Sequence, residues 1–412
     1  MAGHAAAQGL GQMVRGQRPD LAQLLLSPGN ARRLTERLSQ MRGAVMKVGQ
    51  LLSMDGHAVL PPHFADLLGG LRDQAHVMPA SQLAEVLERE YGKHWHRRFH
   101  RLSFEPVAAA SIGQVHRAET HDGRVLALKI QYPGVRQSIA SDMANLALLA
   151  RTPGLVPAAL DLAAVLARVR AQLDHETDYR AEARAAATYR QRLGDDPVLF
   201  VPAVVDAHCT DHIIATDFAP GVAVDRLARG GGSQTQRDHV ALALCRLAVH
   251  EFFRMRLVQT DPNFGNYLFD AASGRIALID FGATEAVTAE RVAQLREIGR
   301  ALRADDVPRL AAASAAAGFT ADDDPPAQTR GVIAMMHMAG EPLRHAGAYD
   351  FGASDLFARS VERGRAQFFG DGYARTPPPD LLFLQRKFAG TFMLCARLCA
   401  RVDVASVFAG EL

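Results

Sequence analysis

Residues 257–283 constrain this chain more than any other stretch of its sequence. Asp261 and, five residues later, Asn266 precede a short predicted hairpin. An apolar run after the hairpin ends in Asp280, which a Phe-Gly pair follows. This spacing places oxygen-bearing side chains on a loop and at a strand end. A divalent cation bound to a triphosphate needs oxygen ligands from both sides of one cleft. The pattern therefore predicts such a site, with Asn266 and Asp280 as metal ligands.

Protein kinases carry the same residues in the same order. In that comparison Asp261 resembles the catalytic-loop aspartate beside the phosphate acceptor, and Asn266 resembles the asparagine that binds one Mg²⁺. Asp280 resembles the aspartate of the DFG motif, which binds the metal that bridges the phosphates. A DFG sequence alone occurs after strands in many folds. Its combination with D-x-x-x-x-N one hairpin upstream favours a site for Mg²⁺ and a nucleotide.

The composition permits this interpretation without adding to it. A chain of 412 residues, with 48% hydrophobic and 22% charged residues, is long enough for two lobes with their own cores. Its net charge of +2 argues against a dedicated nucleic-acid-binding protein. Neither an apolar run of about 18 residues nor a secretory signal is evident. The four cysteines lack metal-ligand spacing and are predicted to be small core residues.

The region before residue 100 is predicted to be largely helical. Over residues 33–52, apolar side chains recur every three or four positions, as they do on one buried face of a helix. This helix carries Lys47 and Gln50 in the sequence K-V-G-Q. Its glycine costs about 1 kcal/mol relative to alanine within a helix, which suggests close packing. Two further predicted helices follow, and the second ends near Tyr91.

Three predicted strands follow this helical region, and the third carries Lys129. Kinases place their phosphate-pairing lysine on such a strand. A kinase loop uses glycine so that backbone N–H groups can approach the phosphates, whereas alanine occupies the equivalent positions here. The predicted nucleotide loop comprises Ala108, Ala109, Ala110, Ser111, Ile112, Gly113 and Gln114.

Six motifs occur in the order that is typical of the UbiB/aarF-domain family of atypical kinase-like proteins, which the chain resembles from about Arg33 to its end. The motifs are KVGQLLSM, AAASIGQVHRA, LALKIQYPGV, HETDYRAEA, QTDPNFGN and LIDFGAT. The QTDPN form is most similar to the mitochondrial ubiquinone-biosynthesis branch and its bacterial relatives. The resemblance implies an α+β, two-lobed protein-kinase-like fold. This fold has a small β-containing N-lobe, a mostly α-helical C-lobe and added N-terminal helices.

An acidic segment ends a helix that is predicted over residues 160–183. Helical spacing places Asp178 and Glu182 on one face and Glu176 on a neighbouring face. From the residues alone, a solvated helix face explains these acids equally well. The resemblance implies instead that Glu182 pairs with Lys129, and that Glu176 and Asp178 form a regulatory element that meets the KxGQ helix.

Two strands, at residues 198–205 and 213–218, are predicted to complete the N-lobe. A hinge follows, in which Asp217 and Phe218 are predicted to contact the nucleotide. After a Gly-rich break, residues 239–256 are predicted to form the central helix of the C-lobe.

Five helices are predicted after the DFG motif, the last at residues 380–401. No APE motif follows the DFG, which weakens the case for a peptide-binding activation segment. The predicted domains are a loosely ordered N-terminus (1–30), a helical extension with the KxGQ motif (31–100), an N-lobe with a helical insertion (101–219) and a C-lobe (220–412).

The resemblance implies an atypical kinase-like ATPase, or a small-molecule kinase, that binds ATP or ADP with Mg²⁺ and supports ubiquinone biosynthesis. Lys129 is expected to hold the phosphates and Asp261 to orient the nucleophile. The alternative is a nucleotide-gated scaffold, or a factor that extracts lipid precursors for quinone-biosynthesis enzymes. A conventional protein kinase is less favoured, because the loop is Ala-rich and the APE motif is missing.

The expected partners are a nucleotide, a quinone-like lipid or membrane surface, and other ubiquinone-biosynthesis proteins. No nucleic acid is expected, and the sequence allows a homodimer. The expected location is the bacterial cytoplasm, peripheral to the inner membrane, with attachment through the N-terminal amphipathic helices.

Overall fold

The computed structural model describes residues 77–150, 162–261, 263–369 and 379–412. The predictions for the first 76 residues, including the helix that carries Lys47 and Gln50, therefore lie outside the described residues. The chain divides into two compact units. Of the described residues, the first unit contains those up to Ala181 together with Val205–Phe218, and the second contains those within Glu182–Val204 and Ala219–Leu412.

The described elements up to the middle of the chain are α1 (Ala80–Tyr91), β1 (Arg101–Ala109), β2 (Gly113–Glu119), β3 (Val125–Gln131), α2 (Val135–Ala150), α3 (Leu162–Glu176), α4 (Tyr179–Leu193), β4 (Leu199–Phe200), β5 (Ile213–Asp217), β6 (Val222–Ala223), α5 (Val224–Arg226) and α6 (Gln234–His250). They are followed by β7 (Leu257–Gln259), β8 (Tyr267–Asp270), β9 (Arg275–Leu278), β10 (Thr284–Ala286), α7 (Ala289–Arg303), α8 (Val307–Ala317), α9 (Pro326–Ala339), α10 (Glu341–Arg344), β11 (Tyr349–Asp350), α11 (Leu356–Phe369), α12 (Pro379–Arg397), β12 (Arg401–Val402) and α13 (Val404–Phe408).

A four-stranded antiparallel sheet forms the centre of the first unit, with the strand order β1-β2-β3-β5. On β3, Leu126, Leu128 and Ile130 are fully buried, and the alternate positions, including Lys129, face the other side of the sheet. Gly123, at φ 83°, makes the turn between β2 and β3 in a left-handed conformation that glycine adopts without strain. The predicted hairpin and the predicted strand with Lys129 are confirmed.

The predicted continuous helix over residues 160–183 is wrong. Helix α3 ends at Glu176, and Asp178 caps the start of α4, where its Oδ1 accepts a hydrogen bond from the Ala181 backbone N–H at 2.8 Å. An aspartate within a helix competes with the backbone, whereas at the start of a helix it satisfies a free N–H. Glu176, Asp178 and Glu182 therefore lie at a helix end, an N-cap and a first helical turn.

Helix α6 is at the centre of the second unit. It begins with a capping box, in which the Ser233 side chain accepts from the Gln236 backbone and the Gln236 side chain accepts from the Ser233 backbone. Its buried residues share a hydrophobic core with α12 and with a sheet of strand order β4-β9-β8-β6. The helix ends at His250, before the predicted end at Arg256, because the next five residues form a wider π-helical turn.

The prediction of an N-lobe strand at residues 198–205 is also wrong. Strand β4 has two residues and runs parallel to β9 of the second unit. Pro202, shortly after β4, has no backbone N–H with which to extend the ladder. The other predicted strand of this pair is confirmed as β5.

The helices after the DFG motif follow the prediction except at the end of the chain. Helix α12 ends at Arg397 because Cys399 adopts φ 47° and β12 then pairs with β11. Cys399 is exposed, whereas Cys209, Cys245 and Cys395 are buried, so the prediction of core cysteines is wrong for Cys399 alone. Among the described residues, no helix has the length and apolar character that a membrane crossing requires.

Candidate functional site

Asp261 and Asn266 are joined by direct hydrogen bonds in the loop between β7 and β8. The Asn266 Nδ2 group donates to the Asp261 carboxylate and to the Asp261 carbonyl, each at 3.1 Å. Asn266 is buried and Asp261 is half-buried. Because the amide nitrogen is engaged in this way, the oxygen of Asn266 is the atom suited to a hard cation such as Mg²⁺.

The DFG segment is hydrogen-bonded to the same loop. The Thr260 backbone N–H and hydroxyl both donate to the Ala283 carbonyl, at 2.7 and 3.1 Å. On the other side, the Ile279 N–H donates to the Asn266 carbonyl at 3.1 Å. These bonds hold the two predicted metal ligands, Asn266 and Asp280, on adjacent segments of the second unit.

The local backbone also orients Asp280. Its Oδ1 accepts a hydrogen bond from the Gly282 N–H at 3.0 Å, and the side chain is half-buried two residues after the end of β9. The ring of Phe281 packs against Tyr189, with 4.9 Å between the ring centroids. Carboxylate and amide oxygens at these positions match the ligand chemistry of Mg²⁺.

In the first unit, Tyr179 lies between Lys129 and the Ala-rich turn. The Lys129 Nζ is 5.5 Å from the centroid of the Tyr179 ring, a cation–π distance. A Cβ added at Gly113 would lie 2.9 Å from the Tyr179 hydroxyl oxygen and 2.3 Å from the Ile130 carbonyl oxygen. Tyr179 is 1% exposed, so Lys129 and Gly113 both lie close to one buried side chain.

The predicted nucleotide loop is a tight hairpin turn between paired strands. Ala108 and Ala109 belong to β1 and pair with Val115 and Gln114 of β2. The Ala110 N–H donates to the Gly113 carbonyl at 2.9 Å, which closes the turn. Within the turn Ile112 is buried and its carbonyl accepts the Tyr132 N–H at 2.9 Å, while Ser111 Oγ donates to Glu176 Oε2 at 2.9 Å.

The Gln114 side chain is engaged in the interior of the first unit. Its Oε1 accepts the Met78 backbone N–H at 2.9 Å, and its Nε2 donates to His116 Nε2 at 2.8 Å. The other ring nitrogen of His116 donates to the Ser103 carbonyl at 2.8 Å. Burial lowers the pKa of His116, which favours the neutral ring that this chain of hydrogen bonds requires. The Gln114 side chain is thus a structural part of the hairpin.

Three other predicted residues, Asp217, Phe218 and Glu182, have local partners or a buried position. The Arg124 Nε donates to the Asp217 carboxylate at 2.6 Å across neighbouring strands. The Phe218 N–H donates to the Val125 carbonyl at 2.9 Å. Glu182 is a buried carboxylate in the first turn of α4. Its predicted pairing with Lys129 stays a prediction, as do the regulatory roles of Glu176 and Asp178 toward the KxGQ helix.

The second unit contains a buried polar cluster that the sequence patterns do not indicate. Its members are Tyr189, Glu251, Tyr267 and Lys387. They come from four separate elements, so no local spacing connects them. A usable signal is the charge of Lys387 directly before the apolar run of residues 388–396, since charged residues are rarely buried without a partner.

The profile of the ABC1 atypical kinase-like domain matches residues 70–314. The chain belongs to this family. Atypical kinase COQ8B, a mitochondrial protein of Rattus norvegicus, is 36% identical over 384 residues, which cover 93% of this chain and 72% of the relative. Atypical kinase COQ8 of Saccharomyces cerevisiae, also mitochondrial, is 33% identical over 405 residues, which cover 98% and 80%.

The fold is likewise similar to a solved structure, the Rv3197–erythromycin complex from Mycobacterium tuberculosis. The TM-score is 0.65 at 26% sequence identity, and the match covers 95% of this chain and 98% of that chain. These comparisons confirm the two-lobed kinase-like fold and the atypical-kinase class, within the ubiquinone-biosynthesis branch of the family. They contradict the predicted bacterial location at the inner membrane, because the relatives are named as mitochondrial proteins.

Proposed function

We propose that this atypical kinase binds ATP or ADP with Mg²⁺ and hydrolyses ATP, or transfers its phosphate to a small molecule, in support of ubiquinone biosynthesis. The observation that carries the proposal is the hydrogen-bonded assembly of the Asp261–Asn266 loop with the DFG segment through Thr260 and Ala283. Such an assembly keeps an aspartate, an amide oxygen and a second aspartate in a fixed relation, which phosphoryl transfer requires.

Each residue has a separate role in this proposal. Lys129 holds the nucleotide phosphates, and Glu182 positions Lys129. Asn266 and Asp280 hold Mg²⁺, which when bound neutralises charge on the phosphate oxygens. Asp261 orients the nucleophile, and its bond from Asn266 Nδ2 fixes the carboxylate for that task. Asp217 and Phe218 contact the nucleotide at the hinge.

The substitution Asp280→Asn tests the metal site. It exchanges a full negative charge for a neutral amide of the same size, so Mg²⁺-dependent ATP hydrolysis should disappear while the unfolding temperature changes little. The matched control is Asp270→Asn in the β8–β9 turn, where the carboxylate accepts hydrogen bonds from Ala272 and Ser273 and lies outside the motif. Unchanged turnover in folded Asp280→Asn protein, or equal losses in both variants, would contradict the assignment.

A nucleotide-gated scaffold is the second candidate, and one observation favours it. The Ala110 N–H already donates within the 110–113 turn and is therefore engaged before any phosphate arrives. A scaffold needs nucleotide binding but not turnover. Asp261→Asn distinguishes the two candidates, provided that the variant still binds nucleotide. Quinone synthesis should continue with this variant if the protein is a scaffold and should be lost if the protein is an enzyme. Under either candidate function, we expect the protein to interact with a quinone-like lipid and with other ubiquinone-biosynthesis proteins, and a homodimer is compatible with both.

A further inference from the structure

A buried ion pair joins the end of α6 to α12 in the second unit. Lys387 Nζ lies 2.6 Å from Glu251 Oε2, and the two residues are 1% and 0% exposed. Removing two charges from water has a desolvation cost that their mutual attraction often fails to offset. Replacing a buried ion pair with apolar residues of similar volume therefore often leaves the stability of a protein unchanged or raises it. Stability alone is therefore a weak explanation for this pair.

The second oxygen of Glu251 holds the chain just before the proposed catalytic aspartate. Glu251 Oε1 accepts the Gln259 backbone N–H at 2.9 Å and the Tyr189 hydroxyl at 2.7 Å. Gln259 lies two residues before Asp261. Within the described part of the chain, neither polar atom of the buried Gln259 side chain has a hydrogen-bond partner. The side chain therefore contributes no polar contact there. The position is held through its backbone, by the bond to Glu251 and by the pairing of β7 with β10, in which Gln259 lies opposite Thr284.

The other member of the pair reaches the opposite end of the same loop. The Lys387 ammonium also interacts electrostatically with the side chain of Tyr267, the residue directly after Asn266. Burial opposes the charge of Lys387, but Glu251 and Tyr267 outweigh it and hold the pKa of Lys387 above its ordinary value. Lys387 therefore stays charged, and the ion pair contacts the loop at both of its ends.

We propose that Glu251 and Lys387 are positioning residues that hold the loop carrying Asp261 and Asn266 from both ends. Glu251 supplies a directional acceptor to Gln259, and Lys387 fixes the orientation of that carboxylate while it interacts electrostatically with Tyr267. Apolar residues could fill the same volume but could not accept the Gln259 N–H. This inference rests on the proposed function, because the loop matters for catalysis only if Asp261 and Asn266 act as assigned.

Two double variants separate positioning from packing, since both remove the buried charges. Glu251→Gln with Lys387→Met keeps an acceptor oxygen for Gln259, whereas Glu251→Leu with Lys387→Met does not. We expect the Leu/Met protein to show faster amide hydrogen exchange in the 257–268 segment, and kcat for ATP hydrolysis about 100-fold lower with KM little changed. The Gln/Met protein keeps the acceptor but lacks the Lys387 ammonium. It should therefore retain exchange protection at Gln259, show faster exchange near Asn266, and lose less of kcat than the Leu/Met protein.

The outcomes are separable. Wild-type exchange and kcat in the folded Leu/Met protein, or equal losses in both double variants, would overturn the proposal. If the wild type itself does not hydrolyse ATP, the proposed function fails, and the exchange measurement still decides whether Glu251 holds the loop. If neither double variant folds, Tyr267→Phe removes only the hydroxyl that faces Lys387. It should speed exchange near Asn266 and lower kcat, and an unchanged variant would refute the role of Lys387.

Discussion

Gly113→Ala is a stringent test of the hairpin geometry around Lys129. The added Cβ would lie 2.3 Å from the Ile130 carbonyl oxygen and 2.9 Å from the Tyr179 hydroxyl oxygen, whereas ordinary van der Waals contact begins near 3.4 Å. The nearer atom belongs to the backbone of β3, so no flexible side chain can move aside. Strands β2 and β3 must therefore separate by about 1 Å at this point.

Both stability and activity should respond to this separation. Overpacking of this kind typically costs about 1–3 kcal/mol of unfolding free energy. Ile130 directly follows Lys129, so the lysine moves with the displaced strand. A misplacement of about 1 Å in a phosphate-holding group can lower the rate of the chemical step about 100-fold. We therefore expect a modest loss of stability together with a large loss of ATP hydrolysis and weaker nucleotide binding.

Gly123→Ala in the same hairpin is the matched control. Gly123 has φ 83° with no heavy atom within 4 Å of an added Cβ, so alanine there brings backbone strain of about 1–2 kcal/mol without a clash. Urea unfolding, nucleotide titration and ATP hydrolysis should show similar stability losses in the two variants but catalytic and binding losses in Gly113→Ala alone. If both variants bind and hydrolyse ATP as the wild type does, the close approach at Gly113 does not position Lys129.

Further predictions address single contacts. Asp178→Ala should lower the unfolding free energy by about 1 kcal/mol, and Asp178→Asn should restore most of it, because either oxygen can cap the Ala181 N–H; equal losses would contradict the cap. Lys387→Met alone should cost about 3–5 kcal/mol in urea unfolding, because it leaves a buried carboxylate without its cation; a smaller cost than in either double variant would argue against the pair. His116 has a lowered pKa, because burial disfavours its charged form, so its contribution to stability is present above pH 6.5 and is lost as the pH falls through the folded-state pKa; His116→Gln should show a weaker pH dependence below 6.5. Ala109→Gly should change ATP affinity and raise autophosphorylation, measured by titration and mass spectrometry, and wild-type values of both would rule out a role for this alanine.

Local patterns predicted the elements whose signals are local. The alternation on β3, the Asp-Gly turn before it and the apolar periodicity of α7 each span fewer than about 20 residues, and the structure agrees with all three. The break before α4 also had a local signal. Thr177 and Asp178 are residues that prefer caps to helix interiors, but the Ala-rich periodicity on both sides favoured one helix.

Contacts between distant parts of the chain could not be predicted in this way. The pair Glu251–Lys387 joins the turn after α6 to α12, and nothing near either residue specifies the other. The hydrogen bonds of Gln114 with Met78 and His116 were equally unpredictable from the sequence. A glutamine in the predicted nucleotide loop gives no sign that its side chain points into the interior. The sequence motifs located the candidate site, whereas these contacts explain why its backbone is fixed.

The Ala-rich loop shows how a motif and its geometry can lead to different expectations. Comparison with glycine-rich kinase loops suggested that alanine restricts a phosphate cradle. In this structure Ala108 and Ala109 are paired strand residues, where a Cβ is tolerated, and the position that excludes a Cβ is Gly113. Glycine at Ala109 would therefore act by weakening the β1–β2 pairing beside the turn, since glycine loses more conformational entropy in a strand. We therefore expect any restriction on nucleotide binding to come from the closed 110–113 turn and its hydrogen bond from Ser111 to Glu176. Ser111→Ala should relax that turn without altering either strand.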